Sequence, residues 1–256
     1  MKSLKEILNE SLINEAGNNT PKTKKELVEI IKSEVEKNGW ECDLNHIDVS
    51  KITDMSYLFS LNKVTGFGLG DFNGDISQWD VSNVTNMQGM FQYTKNFNKP
   101  LNNWDVSKVR NMSGMFEQTE SFNQPIGDWD VSNVTDMHYM FLGAKSFNQP
   151  IGDWDVSKVR DMSGMFELAE SFNQPIGNWN VSKVTNMFGM FSYAKSFNQP
   201  IGDWDVSNVK RFTSMFNGAK LFNQDISKWE ITTKRMKGWM FDNCPIKDEY
   251  IPEIPE

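Results

Sequence analysis

"FNQPIGDWDVS" occupies residues 122–132 and recurs letter for letter at 147–157 and 197–207. A catalytic pocket is assembled once, from residues that differ, whereas a structural unit can be built many times. The repetition extends outward from this stretch. Trp79, Trp104, Trp129, Trp154, Trp179, Trp204 and Trp229 fall 25 residues apart. Phe91, Phe116, Phe141, Phe166, Phe191, Phe216 and Phe241 keep the same interval, each preceded by Met. Asn98, Asn123, Asn148, Asn173, Asn198 and Asn223 form a third column. A divergent row, "IDVSKITDMSYLF" at 47–59, comes first, followed by a seven-residue insertion carrying "GFGLG" at 66–70. Rows therefore run from about residue 44 to 244, eight in all.

Each row reads physically. In "WDVS" apolar and polar letters alternate, the period of a strand with one buried face. Trp129 and Val131 are expected inside, Asp128 and Asp130 outside. The spacing of Val134, Met137, Met140 and Phe141 predicts a helical or 3₁₀ turn on the opposite wall. Ala144 and Phe147 follow, then a polar corner "NQP" whose Pro lacks the N–H that a ladder would need. One row cannot bury its own Trp, Met and Phe, but stacked rows can. The expected fold is a repeat solenoid of α/β class. It has eight rows of about 25 residues, each with one short strand and one short helical turn. Stacking sets like on like, so the Asn and Ser columns are expected to satisfy backbone groups at the corners.

"FNQPIGDWDVSNVTDMHYMF" at 122–141 resembles the BspA-like leucine-rich-repeat surface proteins, in their W-D-V-S-x-V-x-x-M-x-x-M-F variant. The resemblance covers roughly residues 44–244. It implies a right-handed, leucine-rich-repeat-like solenoid that binds protein and serves adhesion at bacterial surfaces. Cys244 fits it, falling in the column of Ala144, Ala169, Ala194 and Ala219, where family members often carry Cys.

Four segments are expected: a leader helix and linker (1–20), a capping helix (21–43), the repeats (44–244) and an acidic, proline-containing tail (245–256). "TKKE" from Thr23 reads as a capping box, Leu27, Val28, Ile31 and Val35 as an apolar stripe, and Gly39 as the stop. The N-terminal "MKSLKEILNESLINEA" lacks a secretory h-region. It resembles the capsid-targeting leader of internal head proteins of large T-even-like tailed phages. That resemblance implies cleavage after Leu/Ile-x-Glu, at Glu10 or Glu15. The sequence alone thus suggests an intracellular or virion setting, and the repeat resemblance a cell surface.

A net charge of −8 argues against a nucleic-acid partner, which needs a basic face. No apolar run reaches the roughly 18–20 residues of a membrane span. Cys42 and Cys244 lie near opposite ends and are expected as free thiols, so no disulfide is expected. His46 and His138 stand in different rows, which leaves no triad and no zinc spacing, and an enzyme is not expected. "GFGLG" lacks the Lys-Ser/Thr of a phosphate loop; Phe67 and Leu69 there are candidate contacts. Asp128, Asp130, Asp153, Asp155, Asp203 and Asp205 form D-W-D ladders. Backbone N–H and Ser groups are the expected offset to their repulsion, and a Ca²⁺ ion the alternative. A carbohydrate-binding or carbohydrate-active protein working through D-W-D is a further alternative, and it requires the Trp column to face solvent.

Variation between rows carries the rest. Rows 101–125 and 151–175 match at 19 of 25 positions, and rows 126–150 and 176–200 at 17, so a double row was duplicated. The two residues between the Met columns and the two after Met-Phe nevertheless change freely. Tyr93, His138, Tyr139, Phe188 and Tyr193 place aromatics there, which reads either as a binding face for another protein or surface macromolecule or as drift at unconstrained surface positions.

Overall fold

The computed structural model describes residues 19–60, 70–231 and 239–253. The leader, with Glu10 and Glu15, lies outside them, as do Phe67, Leu69 and the stretch 232–238.

Helix α1 spans Lys24–Asn38. Thr23 caps it, its side chain accepting from the Glu26 N–H at 3.2 Å. Glu26 reaches back to the Lys22 N–H at 2.7 Å, one residue earlier than a capping box requires. Gly39 closes the helix at φ 84°, its N–H bonded to the Val35 carbonyl at 2.8 Å. Leu27, Ile31 and Val35 are buried and Val28 packs beside them. Lys24 ties the helix to the first row through Ser56 at 2.7 Å and Asp54 at 3.5 Å.

Each row lies against the next in parallel. One ladder of single bridges passes through Asp54, Asn86, Asn111, Asp136, Asp161, Asn186 and Arg211. The pairing is not where the alternation of "WDVS" predicts a strand. There the amides turn back on their own row, Trp129 N–H to Ile126 O at 3.2 Å and Val134 N–H to Val131 O at 2.9 Å. Trp129 and Val131 are buried and Asp128 and Asp130 exposed, so the sidedness holds without a strand.

The inter-row ladder instead runs through the segment expected as a helical turn. Met87, Gly89, Phe91 and Tyr93 donate to Asn111, Ser113, Met115 and Glu117 of the next row at 2.7–2.9 Å. Met90, Gln92 and Thr94 between them donate three residues back within their own row. Left-handed residues at two columns make this alternation: Gly89, Gly114, Tyr139 and Gly164 at one, Tyr93, Gln118, Gly143 and Leu168 at the other. They interrupt the helical run, so alternate amides point toward the neighbouring row.

The core is continuous through the stack. Trp104 and Trp129 lie 6.5 Å apart and nearly parallel, Phe91 and Phe116 5.5 Å, and Phe91 and Phe97 4.1 Å. Every Trp indole in the column is 3–4% exposed. Each donates Nε1–H to a carbonyl of the preceding row, as Trp154 does to Ile126 O at 3.1 Å. The Asn column forms the expected ladder: Asn123, Asn148, Asn173, Asn198 and Asn223 each donate N–H to the Oδ1 of the Asn one row earlier, at 2.9 Å. From Asn98 onward that Oδ1 also accepts a Gln amide, at 2.9–3.0 Å. Cys42 is buried, Cys244 half-buried, and both are free thiols. Among the described residues no helix is long and apolar enough to cross a membrane.

Candidate functional site: an aromatic and acidic wall

The left-handed columns and the residues just before them form one wall. Five predicted aromatics stand on it: Tyr93 is 41% exposed, Tyr193 42% and Phe188 36%, with His138 and Tyr139 half-buried. A sixth, Tyr57 of the first row, joins them at φ 55°.

Three of the four tyrosine rings lean over a glycine of the following row. A Cβ at Gly89 would meet the Tyr57 ring at 2.4 Å, and one at Gly164 the Tyr139 ring at 2.3 Å. Gly218 relates to Tyr193 in the same way, at 2.6 Å. At these three places a ring rests on bare backbone instead of on a competing side chain.

Two carboxylates fill the gaps. Glu117 accepts from Gln92 Nε2 at 2.7 Å. Its charge raises the Tyr93 hydroxyl pKa, and adds to burial in raising those of Tyr57 and Tyr139. Glu117 thus lies among three tyrosines. Glu167 occupies the matching place two rows on, its Oε2 beside both Gly164 and Gly189. Burial raises its carboxyl pKa, and among the described residues its carboxylate accepts no hydrogen bond. His138 Nδ1 lies 2.6 Å from Asp136 Oδ1, and that bond raises the imidazole pKa. The His138 ring meets Tyr139 edge-on at 5.4 Å.

The repeats match a family described as "Mycoplasma protein of unknown function, DUF285", over residues 30–153 and again over 143–252. The chain belongs to that family. DUF285 is a BspA-like repeat family, in keeping with the repeat core quoted above. No curated protein and no solved structure matches the chain.

The D-W-D aspartates of this DUF285 chain lie in another part of each row from the wall. Asp130, Asp155 and Asp205 each accept the N–H of the Ser two residues on, at 3.0–3.1 Å. Hydrogen bonds from Ser157 and Ser207 hold Asp155 and Asp205 below the usual carboxylate range. Asp128, Asp153 and Asp203 are exposed. Among the described residues no three His, Cys, Asp or Glu gather as a metal site. Burial of the Trp column removes the stacking surface that a sugar reader built on D-W-D requires.

Tyr57, Glu117 and Glu167 escaped the sequence reading. The first sits in a row offset by the insertion. The two glutamates stood among freely changing pairs. Their signal was there: in consecutive rows the wall reads Tyr93, Glu117, Tyr139, Glu167, Tyr193.

Proposed function

We propose that this chain is a non-enzymatic, solenoid-class scaffold that binds another protein through the aromatic and acidic wall. The inter-row ladder and the continuous core support the solenoid class. The observation that carries the function is a contrast within each row. Trp, Met and Phe columns repeat, while the neighbouring wall positions change and expose Tyr93, Phe188 and Tyr193. A core has no use for such change, and a recognition surface does. Membership of a BspA-like repeat family supports adhesion at a bacterial surface as the setting.

Photoreactive side chains placed at positions 93 and 193, with a control at 105 among the exposed Asp, test this in cells of the natural source. Discrete cross-linked proteins at 93 and 193 but not at 105 are expected. Equal labelling at all three positions contradicts a dedicated face.

The "INE" ending at Glu15 supports a second reading, a virion-associated protein with a cleavable leader. The intact mass of the natural protein decides it: a chain starting at Ala16 favours the virion, and one starting at Met1 opposes it.

A further inference from the structure

The wall's composition narrows its partner. From the first row to the seventh, no Lys or Arg stands between the Met columns or in the two places after Met-Phe. Elsewhere the rows carry cations freely: Lys95, Lys145 and Lys195 in one column pair with Glu120 and Glu170. Two cations act at or beside the wall. Lys24 is held by Asp54 and Ser56, and Arg211 lies at the seventh row, where its charge acts on Tyr139. Two of the freely changing wall positions carry carboxylates, Glu117 beside Tyr93 and Glu167 beside Tyr139, while Asp136 is taken by His138 and Asp161 lies near.

Their spacing is set by the stack. Phe116 to Phe141 and Phe141 to Phe166 are steps of 5.7 Å each, which puts Glu117 and Glu167 about 11 Å apart along the rows. Three residues of polyproline II cover about 9.3 Å and four residues of strand about 13 Å. A carboxylate between aromatic rings suits a guanidinium or ammonium, through charge-assisted hydrogen bonds and cation–π contact. Glu167 is half-buried without a donor of its own, so an arriving cation meets an acceptor still free.

We propose that the wall docks an extended segment of another protein that runs across the rows and carries Lys or Arg three to four residues apart, one at Glu117 and the next at Glu167. This rests on the wall being the binding face and adds the class of partner.

Fluorescence anisotropy with the full chain tests it. The probes are labelled twelve-residue Gly/Ser/Pro peptides: one with two Arg four residues apart, one with the two Arg adjacent, and one with Glu in both places. The spaced-Arg peptide is expected to bind at least about ten-fold tighter than either of the others, a difference of about 1.4 kcal/mol. The variant E117Q/E167Q is expected to lose that advantage, while D105N/D155N/D205N, away from the wall, keeps it. Unchanged binding by E117Q/E167Q overturns the proposal. So does an equal loss in the Asp variant, which would mean general charge attraction, or no binding of the spaced-Arg peptide by the unaltered chain. In each of those cases cross-linking from positions 93 and 193 still reports separately on whether the wall binds anything.

Discussion

Replacing Trp154 with Phe tests the logic of the stack at one atom and half a ring. The indole is 3% exposed, donates to Ile126 O at 3.1 Å and packs on Phe141 at 6.4 Å. Ile126 O also accepts the Trp129 N–H at 3.2 Å, so losing the indole bond does not orphan it. The hydrogen-bond loss is therefore the ordinary net value, about 1 kcal/mol. The smaller ring leaves a cavity of about 40 Å³, which at about 24 cal/mol per Å³ adds about 1 kcal/mol. Lost transfer energy brings the total to about 2–3 kcal/mol. Trp229 donates to Ile201 O at 3.1 Å and has a Trp neighbour, Trp204, on the preceding row. Trp229→Phe near the stack's end weakens fewer row interfaces than Trp154→Phe in the middle. Urea denaturation of both variants gives the comparison, from the midpoint and slope of each transition. The central change should cost more, and its transition should broaden as the halves on either side uncouple. A cost below about 1 kcal/mol at Trp154, or a larger one at Trp229, would refute row-by-row coupling through the indole.

Three further outcomes are expected. Gly164→Ala sets a Cβ 2.3 Å from the Tyr139 ring at φ 57° and should cost about 1–3 kcal/mol. Adding Tyr139→Gly should recover part of that loss, and a double-mutant cycle with no coupling would show that the ring does not rest on the glycine. Asn148→Ala removes the acceptor of the Asn173 N–H and of Gln174 Nε2, both at 2.9 Å. It should cost about 1–2 kcal/mol and speed hydrogen exchange at the Asn173 amide while sparing the Asn148 amide, which donates to Asn123. The pH profile has two arms. Asp105, Asp155 and Asp205 sit below their ordinary 3.8, so their contribution is complete above that value and is lost as pH falls through the depressed folded pKa. His138 is raised above 6.5, chiefly by Asp136, so its contribution is complete below 6.5 and is lost as pH rises through the folded pKa. Melting temperatures from about pH 2 to 8 should show both arms, and Asp136→Asn should shrink the second, leaving the smaller part that Asp161 and Glu117 supply.

The columns that hold the rows together were legible because burial forces repetition. A Trp that donates to a carbonyl one row back, or an Asn whose Oδ1 caps the next row, works only if each row presents the same atom at the same place. The position of the pairing segment was not legible. Alternation in "WDVS" reports which side chains are buried, and a turn that folds back on itself buries Trp129 and Val131 as well as a strand does. The true ladder depends on two left-handed positions per row. Its sequence trace is partial, because Gly fills one column at 89, 114, 164 and 189 but Tyr fills it at 57 and 139. A tyrosine in a left-handed backbone is about 1–2 kcal/mol worse than glycine. Three of the tyrosine rings in such places lean over a glycine of the next row, Tyr57 over Gly89, Tyr139 over Gly164 and Tyr193 over Gly218, while Tyr93 is followed in its column by Gln118. The bare glycine beneath gives the ring room to lie flat, so these columns accept both the smallest and some of the largest side chains, and no single letter marks them in the sequence.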